Sequence, residues 1–122
     1  MITNFEEITK DLTLDEMKIL PILINGFKSR TKEKPIKAPE ICKAINNRLS
    51  EHGLKRKFSE VKLRKMTNLI RTNAILPLIA TSDGYYVSYD QNEIRNQIKS
   101  LNERAEAILS SANGLCIFLK QS

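Results

Sequence analysis

The chain has 122 residues and 41% of them are hydrophobic, which is enough for one globular domain with an appended element and argues against a wholly disordered protein. No segment approaches the roughly 18 consecutive apolar residues that a membrane-spanning helix needs. The acidic N-terminus also lacks the basic-then-apolar order of a signal peptide, so we expect a cytoplasmic protein.

The net charge of +6 is concentrated in one segment. Between Lys28 and Arg71 there are fourteen Lys and Arg residues and four acidic residues, a net charge of +10, whereas the segments before and after it carry −3 and −1. Such an uneven distribution raises the positive potential locally and attracts polyanions. We therefore expect nucleic acid as the partner, ahead of an anionic membrane surface.

The cysteines and the histidine indicate neither a metal site nor a cofactor. Cys42 and Cys116 are far apart in the sequence and have no CxxC spacing, so we expect two reduced, packed thiols. The one histidine, His52, precedes Gly53 and is expected to be an exposed turn residue.

The first predicted helix begins at a capping box, in which Thr13 and Glu16 satisfy each other's backbone N–H groups. Its apolar positions follow at helical spacing: Met17, Leu20, Leu23, Ile24 and Phe27. A basic loop over residues 28–34 comes next, and a brief extended segment is predicted at residues 35–37.

Two further helices are predicted in the basic segment. Pro39 suits the first position of the second helix, and Gly53 suits the turn just beyond its end. Ser59 can cap the third helix, whose apolar residues Leu63, Met66 and Ile70 recur every three or four residues. Two strands are then expected over residues 76–81 and 85–89, joined by a tight turn at Gly84.

A long C-terminal helix is predicted to begin at Asp90, with a break near Gly114. Its apolar residues alternate spacings of four and three and form a heptad seam: Ile94, Ile98, Leu101, Ala105, Ile108, Ala112 and Leu115. Either this helix packs on its own domain, or two copies pair in a homodimer. The strict 3.5-residue period favours the homodimer, because a helix lying on a globule follows a period of 3.6.

The order of elements predicts a mainly α fold with a small β-hairpin wing, namely a winged helix-turn-helix with a long C-terminal helix. Residues 1–89 are expected to form the winged domain and residues 90–122 the C-terminal helix, as a dimerisation element.

Two stretches also resemble a known group of proteins: FSEVKLRKMTNLIRTNAILPLIATSDGYYVS and DQNEIRNQIKSLNERAEAIL. They are similar to short winged-helix proteins of bacteriophage and prophage genomes. The resemblance implies DNA binding in a phage-related transcription or replication setting. One departure is the turn over residues 53–58, which is longer than the three or four residues of a tight helix-turn-helix.

The third helix is predicted to contact duplex DNA. With its apolar face turned inward, its outer side presents side chains that can donate to base edges and neutralise phosphates. We expect Lys62, Lys65 and Asn68 to face bases, Arg64 and Arg71 to meet phosphates, and Thr72 to lie on the same side. In the turn before this helix, we expect further contacts with the DNA phosphate backbone from Lys55, Arg56, Lys57 and Ser59.

The sequence does not predict an enzyme or a small-molecule substrate. It has no Gly-rich phosphate loop, no HExxH and no GxSxG, and its acidic residues are dispersed. The main alternative is a protein–protein interaction module, an adaptor for a replication or host factor, that uses the C-terminal seam. An RNA-binding domain ranks lower, because the aromatic residues do not interleave with bases.

Overall fold

A computed structural model describes residues 12–53 and 57–121, with side chains described to residue 119. Its helices and strands, in chain order, are α1 (Leu14–Lys28), α2 (Ala38–Glu51), α3 (Glu60–Thr72), β1 (Leu78–Thr81), β2 (Gly84–Val87) and α4 (Gln91–Cys116), followed by a 3-10 turn (Ile117–Gln121). The expected mainly helical fold with a small hairpin and a long C-terminal helix is confirmed. The chain divides into two compact units, Met1–Tyr89 and Asp90–Ser122.

Local capping determines where three of the helices begin. The Thr13 hydroxyl accepts from the Glu16 backbone N–H, and the Glu16 carboxylate accepts from the Thr13 backbone N–H, so the capping box of α1 is confirmed. Ser59 caps α3 and Asp90 caps α4 with one hydrogen bond each, because the Ser59 hydroxyl accepts from the Lys62 backbone N–H and the Asp90 carboxylate accepts from that of Glu93. These contacts satisfy backbone N–H groups that have no partner within the helix.

The two strands form an antiparallel hairpin in which Ala80 faces Tyr85. On the other edge of β2, Ile36 forms a single antiparallel bridge with Tyr85, with N–O distances of 2.8 and 3.0 Å. The extended segment predicted at residues 35–37 is thus confirmed at Ile36. The bridge fastens the loop between α1 and α2 to the hairpin.

The core of the first unit lies between the three helices and the hairpin. All three predicted core residues of α3 are buried, and so is Phe58, which precedes that helix. In α1 the buried face includes Ile19, whereas Met17 is only partly buried, so the predicted apolar face was rotated slightly from the observed one. The capping residue Glu16 also lies on the buried side of α1.

Two expectations for the C-terminal segment were wrong. Cys116 is exposed rather than packed, while Cys42 is buried and both thiols are free. The helix also continues through Gly114 and ends at Cys116, because a single glycine costs only about 1 kcal/mol in a helix interior. No helix in the described part of the chain combines the length and apolarity needed to cross a membrane.

Candidate nucleic-acid interface

The outer face of α3 is polar and positively charged. Leu63, Met66, Thr67 and Ile70 are buried on its inner side. On the outer side the exposed residues of the helix are Glu60, Val61, Arg64, Lys65, Asn68 and Thr72. Four of the predicted site residues therefore lie together on one accessible surface: Arg64, Lys65, Asn68 and Thr72.

Lys65 forms an ion pair that the sequence did not reveal. Its Nζ lies 3.0 Å from Oε1 of Glu16 in α1, and the Glu16 side chain is only 7% exposed whereas that of Lys65 is 45% exposed. The ammonium therefore reaches solvent while it neutralises a buried carboxylate. That Lys65 faces bases stays a prediction, and the structure adds that its ammonium pairs with Glu16.

The environment of Glu16 keeps this carboxylate ionised. Burial by itself raises the pKa of Glu16, but the Thr13 backbone N–H and the ammonium of Lys65 outweigh it, with a further contribution from the charge of Lys62. The net effect is a pKa below the ordinary value of 4.5. Glu16 is therefore ionised at neutral pH and offsets one positive charge of the outer face.

Lys62 and Arg71 lie at the edges of the outer face and also contact the fold. Lys62 is half-buried, and its Nζ donates to the backbone carbonyl of Lys57 at 3.4 Å. Arg71 is half-buried as well, and its Nε donates to the carbonyl of Leu78 in β1 at 3.0 Å. From the sequence we expected these two side chains to contact DNA alone. Their hydrogen bonds also join α3 to the preceding turn and to β1.

The turn before α3 is fixed by an asparagine that sequence analysis missed. Asn46 Oδ1 accepts from the Phe58 backbone N–H at 2.7 Å, and Asn46 Nδ2 donates to the Phe58 carbonyl at 3.1 Å. An amide side chain can satisfy both groups of one backbone residue, and here it positions the start of α3 against α2. The signal in the sequence was Asn46 itself, a polar residue that falls near the apolar stripe of the second predicted helix.

Of the predicted contacts in this turn, Lys57 and Ser59 lie within the described chain. Lys57 is exposed, and Ser59 is exposed and caps α3. The predictions for Lys55 and Arg56 fall outside the described residues.

A second basic surface lies beside the hairpin. The loop after α1 is held to β2 by the Ile36–Tyr85 bridge and by the Val87 backbone N–H, which donates to the Arg30 carbonyl at 3.2 Å. Its exposed cations are Lys28, Lys32, Lys34 and Lys37. These residues belong to the charged segment, but sequence analysis did not include them in the site, because only the backbone pairing shows that the loop and hairpin adjoin.

The hairpin itself contributes little charge to this surface. Its tip contains Asp83, whose backbone N–H donates to the Thr81 hydroxyl at 3.2 Å. The Tyr86 side chain is buried, and the Tyr85 ring packs against Phe27 with centroids 5.8 Å apart. Both tyrosines therefore take part in packing within the first unit.

The predicted dimerisation residues all lie on α4, and none of them is buried in the part of the chain that the structure describes. Ile94 and Leu101 are half-buried, while Ile98, Ala105, Ile108, Ala112 and Leu115 are exposed. In the 3-10 turn that follows α4, the apolar residues Ile117, Phe118 and Leu119 are also exposed.

A metal ion needs several titratable side chains arranged around one point. Within residues 12–53 and 57–121 there is no group of three or more His, Cys, Asp or Glu side chains that could hold a metal ion. The carboxylate with the clearest role, Glu16, is committed to a capping box and an ion pair. The chemistry available on α3 is cation and hydrogen-bond donation to a polyanion.

Comparisons of this chain with protein-family models, with curated proteins and with solved structures found no match.

Proposed function

We propose that the unit Met1–Tyr89 is a winged helix-turn-helix that binds duplex DNA, with α3 entering the major groove and the β1–β2 hairpin acting as the wing. The order of elements supports this: a helix, an extended segment bridged to the hairpin, two helices and the hairpin. The observation that carries the proposal is the two-sided character of α3. Its inner side is buried in the core, and its outer side presents cations and an amide within the most basic segment of the chain.

The outer face of α3 divides into base-reading and phosphate-binding roles. Asn68 is exposed on this face, and its amide matches the hydrogen-bonding edge of adenine. The Arg64 guanidinium is exposed one turn earlier and is assigned to a phosphate. Val61 is exposed at the start of the same face and is suited to apolar contact with a thymine methyl group. Lys65 lies among them with its charge partly offset by Glu16, so it acts as a hydrogen-bond donor more than as a source of net charge.

Phosphate contacts come from both sides of α3. Lys57 and the capped N-terminus of the helix lie on one side. The loop cations Lys32, Lys34 and Lys37 lie beside the wing and supply the charge that its tip lacks. Such contacts orient a protein on the duplex and provide affinity that is independent of sequence.

The affinity is expected to depend steeply on salt. If about five phosphates are neutralised, log K falls with log salt at a slope of about −4.5, because each phosphate contributes about −0.9. A slope close to zero between low and moderate salt would be incompatible with the proposed interface.

The direct test compares two variants with the same change of charge. Arg64→Glu alters the outer face of α3, and Lys18→Glu alters an exposed lysine of α1 beside α2. We expect Arg64→Glu to weaken binding to a labelled random duplex by about tenfold or more in fluorescence anisotropy, because it removes a phosphate contact and places a carboxylate against the phosphate backbone. Lys18→Glu should change the dissociation constant by only about twofold, since it alters long-range potential alone. Equal losses would mean that α3 does not face the duplex.

The biological setting we propose is regulation of transcription or replication of a phage type, and it rests on the resemblance of the α3, hairpin and α4 sequences. We propose no catalytic step for the chain. The rival role, an adaptor that binds another protein, draws on the exposed seam of α4.

A further inference from the structure

The second unit consists of a 26-residue helix that buries none of its residues in the described chain, although it carries a continuous apolar seam. Ile98 is 51% exposed, Leu115 is 68% exposed and Ile108 is 70% exposed. Exposure of a row of large apolar side chains to water is unfavourable, and burial against another surface would remove that cost.

The period of the seam points to a second helix. The apolar positions recur at alternating intervals of four and three over the whole of α4. On a straight helix such a repeat drifts by about 20° every seven residues, so it follows a partner that supercoils with it and departs from a flat or globular surface. A partner of the same length and the same repeat matches the seam along its whole length.

The sizes of the seam residues show how the second helix runs. If two copies of α4 paired in parallel, identical positions would meet, so Ala105 would face Ala105 and Ala112 would face Ala112 of the second copy. Ile108, between them, would then face Ile108. Thin layers would alternate with thick ones, and the alanine layers would leave voids that cost stability.

Antiparallel pairing removes these voids. With Ala105 of one chain opposite Ile108 of the second copy, Ala112 falls opposite Leu101. In both layers a small residue meets a large one, as interdigitated cores require. The same register places Ile98 opposite Leu115, so one alignment fits every layer over the length of the helix.

The charged flanks of the seam permit this arrangement. In the antiparallel register Arg104 lies opposite Ser111 of the second copy, and Arg95 lies opposite Cys116 of the second copy. Both arginines therefore face neutral side chains. Like charges facing each other across the seam would cost stability, and this register avoids them.

We propose that the partner of α4 is α4 of a second copy of this chain, paired antiparallel with Ala105 against Ile108. The pairing is independent of DNA binding by the first unit. It makes the protein a homodimer whose two helices overlap from Ile98 to Leu115.

Sedimentation equilibrium of the unaltered chain is the first measurement, and a dimer at micromolar concentrations is expected. Ile108→Glu should give a monomer. Ser110→Glu adds the same charge on the outer side of the same turn and should leave the dimer intact. A monomeric unaltered chain, or equal effects of the two variants, overturns the proposal. Anisotropy with duplex DNA on the same samples reports the function of the first unit separately, since Ile108→Glu leaves α3 unchanged.

Disulfide trapping then tests the direction. In a Cys116→Ser background, which leaves only the buried Cys42, Ile98→Cys alone places the two sulfurs about 25 Å apart in the antiparallel pair, so no cross-link forms. Ile98→Cys combined with Leu115→Cys brings unlike positions together, and oxidation should join residue 98 of one chain to residue 115 of the other. Peptide mass spectrometry identifies this link. A link between two residues 98 in the single variant indicates parallel pairing and overturns the antiparallel register.

Discussion

The Nζ atom of Lys65 in α3 lies 3.0 Å from Oε1 of Glu16 in α1, so the most accessible face of the basic helix is tied to the capping box of another helix. Glu16 thus has two partners, the Thr13 backbone N–H and the Lys65 ammonium. The first fixes the start of α1, and the second fixes α3 against it. One carboxylate therefore links a local helix signal to the placement of the candidate interface.

The first prediction concerns the pH dependence of stability at Glu16. Because its folded-state pKa lies below the ordinary 4.5, the ionised pair stabilises the fold above that pH, and this contribution is lost as the pH falls through the lowered pKa. Glu16→Gln should therefore be less stable than the unaltered protein at pH 7, by about 1 kcal/mol once the partial exposure of Lys65 is considered. Urea unfolding between pH 7 and pH 3 should show this difference shrinking in acid. An exposed control, Glu51→Gln, should show a much smaller difference, and a constant gap for Glu16→Gln would contradict the role of its charge.

The second prediction separates Arg64 from Lys65 in DNA binding. Glu16 already offsets the charge of Lys65, whereas Arg64 is exposed on the same face. Arg64→Gln should lower the magnitude of the salt slope by about 1, as for loss of one phosphate contact, and Lys65→Gln should lower it less. Titrations by anisotropy at four salt concentrations give both slopes. A larger effect of Lys65→Gln would indicate that the duplex displaces Glu16 from its partner.

The third prediction concerns the turn that leads into α3. Asn46→Ala removes two hydrogen bonds from the backbone of Phe58, a residue that is only 1% exposed, so its N–H and its carbonyl both lose their partner. We expect a loss of about 1–3 kcal/mol in the free energy of unfolding. Asn47→Ala, at the exposed neighbouring position on α2, should change it by less than about 0.5 kcal/mol. Denaturant unfolding of the two variants decides, and similar stabilities would show that the asparagine does not hold the turn.

The fourth prediction tests the junction between the hairpin and the basic loop. Gly84 has a φ of +126°, and a Cβ atom there would lie 2.5 Å from the carbonyl oxygen of Ile36. Gly84→Ala should strain the backbone and disturb the Ile36–Tyr85 bridge, at a cost of about 1–3 kcal/mol. Gly26→Ala is the matched control, because a methyl group in α1 meets no described atom within 4 Å and should stabilise that helix by about 0.5–1 kcal/mol. Thermal unfolding should give shifts of opposite sign, and equal shifts would be inconsistent with a tight junction.

Much of the fold follows from local signals. Thr13, Ser59 and Asp90 each accept a hydrogen bond from a backbone N–H three residues later, so the start of a helix is encoded within four consecutive residues. The inner face of α3 was also predictable, because three or four residues separate its apolar side chains and that spacing alone defines one side of a helix. For the same reason the outer face could be assigned from the sequence.

The composition of the candidate interface depended on tertiary packing. Glu16 and Lys65 are 49 residues apart, and Asn46 and Phe58 are 12 apart, so no local pattern joins either pair. Whether an outward cation contacts solvent or a buried carboxylate is decided by the way one helix packs on the next. The sequence by itself thus determined where three of the helices begin and which side of α3 faces outward, because capping and periodicity act within a few residues. Only the tertiary structure decided which of those outward charges are offset and which loop adjoins the hairpin, because those contacts exist only once distant segments have packed together.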